Sequence, residues 1–135
     1  MTWWPRYAGF TSLLLIVAVC TGCGSSQDAD VRSSASTFYD AVDAGDGARA
    51  CELLTPRTRS ELEQSSGQPC AEAIRAERVP QVDQPTDVQA FGTMAQVRYH
   101  GETAFLTRFQ GGWRVMAAAC RPGPVDVYDC RISGG

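Results

Sequence analysis

The sequence predicts an α+β domain: N-terminal short helices packed on a curved antiparallel sheet of four or five strands. Three observations predict it. In the first half of the chain apolar residues recur at i, i+3, i+4 and i+7, the spacing of one buried helix face. Beyond Pro80 and Pro85 the apolar period becomes two, the spacing of half-buried strands. Helices first and strands afterwards, without alternation, belong to α+β architecture rather than to a parallel sheet with crossover helices. The 135 residues allow one domain and little more. With 44% hydrophobic and 20% charged residues, a packed core is within reach, but a small one.

Residues 1–22 read as a signal peptide. Met1 to Tyr7 forms a short leading region with Arg6 as its positive charge and Trp3 and Trp4 beside it. An apolar run from Phe10 to Val19 follows, centred on Leu13, Leu14, Leu15, Ile16 and Val17. A bilayer-spanning helix needs about 20 apolar residues; this shorter run has the length of a signal-peptide core. The small residues Thr21 to Ser26 come next, and Cys20-Thr21-Gly22-Cys23 resembles the lipobox of bacterial lipoproteins. That box usually reads Leu, a small residue, Gly or Ala, then Cys, so Cys20 stands where Leu is usual. The resemblance implies a thioether-linked diacylglycerol on Cys23 and cleavage before it. Two acyl chains give stable anchoring where one gives only reversible binding. The competing reading is an ordinary secreted protein cut nearby, with Cys23 incidental. Residues 23–32 read as a lipidated flexible tether and residues 33–135 as the single domain.

Charge and cysteine content narrow the function classes. All 12 basic residues are Arg. Without Arg6 the mature chain has 11 Arg against 15 Asp and Glu, a net charge of −4. No basic run exists, which argues against nucleic acid and against electrostatic adhesion to anionic lipid. A membrane location then needs a covalent hold, the lipid on Cys23. Beyond Cys20 and Cys23 four cysteines remain: Cys51, Cys70, Cys120 and Cys130. An even number in an exported domain implies disulfides, because that compartment is oxidising. Four cysteines allow three connectivities, and Cys51–Cys70 with Cys120–Cys130 is preferred because each pair is local. A metal site is disfavoured, since the cysteines lack close ligand spacing and His100 is the only histidine.

Helix one carries Ala35, Phe38, Tyr39 and Val42 on its buried face, with Ser33 or Ser34 as cap and Gly45 as stop. Asp46 caps a second helix to Leu54. Thr55-Pro56 restarts a third, to Gln64. Ser65 to Gln68 is a loop, and Pro69 opens a fourth helix to about Arg78, with Ala73 and Ile74 inward. Strands follow at Thr86–Phe91, Met94–Tyr99, Thr103–Phe109 and Trp113–Ala119, joined by Gly-containing turns into a meander. Trp113, Val115 and Ala117 are expected on one side of the last of these. Cys120 opens a Pro-rich excursion closed by Cys130, where Val125 and Val127 are expected in a short edge strand.

The Phe-Tyr helix, the short helices and the run FLTRFQGGWRV from Phe105 to Val115 resemble the nuclear transport factor 2-like fold, as found in secreted actinobacterial lipoproteins of unknown role. The resemblance covers roughly residues 33 to 120. It implies a cone-shaped pocket under the sheet, for which Tyr39, Tyr99 and Trp113 are the lining candidates; a homodimer through paired sheets is a common mode of that fold, and the oligomeric state of this chain is left open. Some members are polyketide cyclases or ketosteroid isomerases using Asp, His or Tyr. Here the chemistry-bearing side chains are few. His100 precedes Gly101 at a turn and reads as solvated; Asp40, Asp43, Arg98 and Arg108 read as surface. Tyr39 reads as a core Tyr with a satisfied hydroxyl, and Trp113 as a core anchor. No catalytic residue, cofactor or metal ligand is assigned. The expectation is a membrane-tethered extracytoplasmic lipoprotein acting as a non-enzymatic binding or interaction module, with a small apolar ligand or an envelope protein as partner. The alternatives are a small pocket enzyme, which would need a buried carboxylate or His, and a structural partner in an envelope complex.

Overall fold

The computed structural model describes residues 1–3 and 23–134. The signal-peptide reading over residues 4–22 and the lipidation expected on the Cys23 side chain lie outside what is described. Four helices precede five strands: α1 (Cys23–Asp43), α2 (Gly47–Leu53), α3 (Pro56–Ser66), α4 (Cys70–Ala76), β1 (Asp87–Phe91), β2 (Met94–Tyr99), β3 (Glu102–Phe109), β4 (Gly112–Pro122) and β5 (Tyr128–Ser133). The strands pair in the order β1-β2-β3-β4-β5, every pair antiparallel. The helices pack on one face of this sheet, so the fold is α+β.

The helix ends follow local chemistry. Gly45 at φ +72° lets the chain leave α1, with its amide donating to the Val42 carbonyl. The Asp46 carboxylate accepts from the Arg49 amide and starts α2. The Thr55 hydroxyl accepts from the Thr58 amide, and Pro56 occupies the first turn of α3. Each device satisfies a backbone group that a helix end leaves open.

The core lies between the helices and the inner sheet face. Val31, Phe38, Ile74, Val97, Leu106, Val115 and Ile132 are its largest fully buried aliphatic and aromatic side chains. The segment between α2 and α3 joins the sheet. Leu54 bridges Val115 in parallel, and the Thr55 amide donates to the Val115 carbonyl at 2.9 Å. One residue on, the Met116 carbonyl accepts from the Thr58 hydroxyl at 2.8 Å and from the Gly134 amide at 3.1 Å. That carbonyl ties α3, β4 and the end of β5 together.

Two disulfides, Cys51–Cys70 and Cys120–Cys130, have the preferred local connectivity. The first joins α2 to the start of α4, and the second links directly paired residues of β4 and β5. Gly47 makes the first junction possible, because a Cβ there would lie 2.4 Å from the Ala71 carbonyl oxygen. Such bonds belong to an oxidising, extracytoplasmic compartment. Among the described residues no helix is long and apolar enough to cross a membrane.

Three local expectations are corrected. First, α1 begins at Cys23, ten residues before the cap expected at Ser33 or Ser34, so the stretch read as a flexible tether is helical. Val31 is fully buried and extends the Ala35–Phe38 stripe upstream. One valine among polar residues gives too little periodicity to reveal this. Second, Val125 and Val127 form no edge strand. Both are exposed in the turn after β4, and β5 starts at Tyr128. The chain has positive φ at Val125 and Asp126, which breaks the extended geometry of a strand. Third, Ala117 does not share a face with Trp113 and Val115. Leu106 pairs with Val115 but Phe105 with Ala117, so Met116 is an extra residue and the inward position passes to Ala118.

Candidate functional site

Two of the expected lining residues meet in the interior. Tyr39 and Tyr99 are nearly buried, with ring centroids 5.0 Å apart in an edge-on arrangement. The Tyr39 hydroxyl accepts from the Ala119 amide at 3.2 Å. Ala119 has φ +53°, so its irregular backbone could not use a regular strand ladder throughout. The Tyr99 hydroxyl is buried without a hydrogen-bond partner; Ser36 on α1 faces it, but the geometry falls short of a bond. Burial pushes the Tyr39 phenol up to about 12, with the Ala119 bond opposing and the Glu102 charge adding to the rise. Burial likewise raises the Tyr99 phenol.

Beside them stands a residue that the sequence reading missed. Glu102 is 7% exposed, and its Oε2 has no hydrogen-bond partner. Its Oε1 lies 3.9 Å from Arg121 Nη2, whose own side chain is mostly exposed. Burial raises the Glu102 carboxyl above the ordinary range, while Arg121 and Arg131 pull it back. The signal was present in the sequence. A two-residue turn, His100-Gly101, makes Tyr99 and Glu102 direct cross-strand partners. Paired residues share a face, so an inward Tyr99 requires an inward Glu102. This cluster is a buried carboxyl held toward its neutral form beside two phenols.

Trp113, the third candidate, is 5% exposed and borders open surface instead. It lines two neighbouring depressions, of about 560 Å³ and about 420 Å³, that share Ser34 and Gly112. The larger runs along α2 and the start of α3, past Arg49, Glu52, Arg59 and Arg114. The smaller lies between Gln27 and Asp30 of α1 and Arg108 and Phe109 of β3. Arg114 donates to the Glu52 carbonyl, Arg49 pairs with Glu52 at 3.0 Å, and Arg59 pairs with Glu63 at 3.4 Å. These exposed pairs are individually weak, and Glu52 lines the groove together with the three arginines. The groove therefore brings Trp113 together with Arg49, Arg59 and Arg114, a lining that suits a partly apolar, partly anionic molecule.

The remaining residues stay apart. His100 is an exposed turn residue, and Asp40, Arg98 and Arg108 are exposed. Asp40 and Asp43 border a third depression with Tyr39 and Gln81, and Gln81 donates to the Asp43 carboxylate. Among the described residues no group of three His, Cys, Asp or Glu side chains could hold a metal ion. Comparison of the chain with protein-family models, with curated proteins and with solved structures returns no match.

Proposed function

We propose that this chain is a membrane-tethered extracytoplasmic lipoprotein that works as a non-enzymatic binding module, with the groove at Trp113 as its binding site. The observation that carries the reading is the meeting of the two depressions at Trp113, the larger of them lined by Arg49, Arg59 and Arg114. The two disulfides support the compartment, and the lipobox resemblance supports the tether. Native mass spectrometry of the protein extracted from its own host tests the reading. The expected mass starts at Cys23, carries diacylglycerol, and includes a bound small molecule that is lost in an Arg59→Ala, Arg114→Ala variant. A mass with a protein partner and no small molecule would overturn the groove reading in favour of an envelope assembly. A mass without lipid, together with a Cys23→Ala variant that stays in the membrane fraction, would overturn the tether.

The pocket-enzyme reading is second, and Glu102 favours it by supplying the buried carboxylate it requires. It ranks lower because the depressions described above are lined by other residues. A Glu102→Gln variant that keeps its fold and its bound molecule but lets that molecule accumulate chemically unaltered would move it to first place.

A further inference from the structure

The five strands put two hairpin tips at one end of the sheet: Gly92-Thr93 between β1 and β2, and Gln110-Gly111 between β3 and β4. The tips touch. The Thr93 carbonyl accepts from the Arg108 amide at 2.8 Å and from the Thr107 hydroxyl at 3.1 Å. Phe91 pairs with Met94 and Met94 with Thr107, while Phe109 lies two residues beyond Thr107 on the same outer face. Phe91, Met94 and Phe109 are 62%, 40% and 43% exposed, so they form a contiguous apolar tip. No Asp or Glu occurs between Asp87 and Glu102, or between Glu102 and Asp126, in a chain whose charge is otherwise negative. Arg108 is the charged side chain within these tips, and the nearby acid Asp30 belongs to α1.

The same end holds the start of α1. Gln27 and Asp30 line the depression that Phe109 and Gln110 border from the other side. On the opposite flank Gln81 reaches Asp43, and Arg32 donates to the Pro85 carbonyl, so residues 81–85 run antiparallel to α1. β1 continues that direction and carries Phe91 toward the N-terminal end of α1. Cys23 precedes Gln27 by four residues, about 6 Å along a helix. A lipid on Cys23 would thus enter its bilayer about one helical turn beyond Gln27, at the end of the domain where Phe109 borders the same depression.

We infer that the paired hairpin tips are a membrane-contacting surface, with Phe91, Met94 and Phe109 seated among the headgroups and upper acyl chains of the bilayer that holds the Cys23 lipid. The inference rests on the tether proposed above. The occupant is lipid because the anchor end of α1, the exposed aromatics and the acid-free tips coincide at one end. The domain then sits in a fixed orientation, since Val125 and Val127, the exposed valines after β4, lie at the far end of the sheet.

The experiment uses the full lipidated chain reconstituted in phosphatidylcholine vesicles, with Phe91→Trp, Phe109→Trp and Val127→Trp as separate variants and unsubstituted protein as the Trp113 background. Bromine on the acyl chains is expected to quench the added emission at positions 91 and 109 and to leave that at 127 unchanged. Vesicle flotation of protein whose emission at 91 and 109 is unquenched would overturn the docking and leave the tether standing. Equal quenching at all three positions would overturn a fixed orientation and the inference with it. A blue shift at 91 and 109 without bromine quenching would overturn the lipid docking and assign the tip to a contact with a second copy of the chain. Failure of the unsubstituted protein to float would remove the tether, and the docking would fall with it.

Discussion

Tyr39 and Tyr99 form a built-in controlled experiment. Their rings touch and are buried to a similar extent, yet one hydroxyl has a partner and the other has none. Tyr39→Phe removes the acceptor of the Ala119 amide, a buried donor left without that bond. An unsatisfied buried donor costs about 1–3 kcal/mol, and the ring packing is retained. For a domain of this size each kcal/mol lowers Tm by about 4 °C, so the expected drop is about 4–12 °C. Tyr99→Phe removes a hydroxyl that is desolvated without compensation, so its expected effect is zero or a slight gain. Urea denaturation should move the midpoint of Tyr39→Phe down with an unchanged slope. Hydrogen exchange at the Ala119 amide should accelerate in that variant and not in Tyr99→Phe. Equal losses in the two variants, or a larger loss in Tyr99→Phe, would refute the hydrogen-bond accounting and reopen both residues as ligand contacts.

Three further outcomes follow from packing and charge. Replacing Cys51 and Cys70 by Ser should cost about 3 kcal/mol, and the shorter loop between Cys120 and Cys130 slightly less. Melting curves with and without reductant check this, and an unchanged Tm would mean that the thiols are unpaired. Gly47→Ala should cost about 1–3 kcal/mol by urea titration, because the new methyl forces α2 away from the Ala71 carbonyl; a neutral result would show that the two helices separate freely. Glu102 carries a pH dependence. Its folded carboxyl is raised by burial, so the folded chain binds that proton more readily than the unfolded one. The associated stability is full below the ordinary Glu range and is lost as pH rises through the raised folded value. Glu102→Gln should flatten the stability profile across that window and be the more stable protein at neutral pH, and superimposable profiles would place the carboxylate in water.

Much of the fold was legible because its signals are local. Asp46, Thr55-Pro56 and Gly45 set helix ends through bonds made within four residues, and the turns at Gly92, Gly101 and Gly111 separate strands whose period is plain. What escaped depends on registration between strands. The Met116 insertion that moves Ala117 to the other face of the sheet, where it stays buried, is visible only against Leu106 and Phe105 of the neighbouring strand. The inward Glu102 follows from its pairing with Tyr99, yet a glutamate beside Gly at a turn reads as solvated until that pairing is considered. The groove at Trp113 draws on α1, α2, α3 and the β3–β4 hairpin, and no sequence spacing brings Ser34, Arg59 and Arg114 together. Of the three expected lining residues, Tyr39 and Tyr99 share the interior and Trp113 alone borders the larger groove.

The neighbour-to-neighbour strand order has a consequence for how this chain reaches its folded state. In a meander each strand finds its partner a few residues away, so the sheet can zip from one hairpin to the next without closing long loops. The helices come first in the chain but bury their apolar faces on strands that appear later. During vectorial emergence α1 to α4 are therefore left waiting, with Phe38 and Ile74 uncovered, until the last strands arrive. The Cys51–Cys70 bond lies wholly within that waiting half and can hold α2 against α4 in the interval. The Cys120–Cys130 bond joins the last two strands to emerge, so its closure comes late in assembly and gives a chemical timestamp for it.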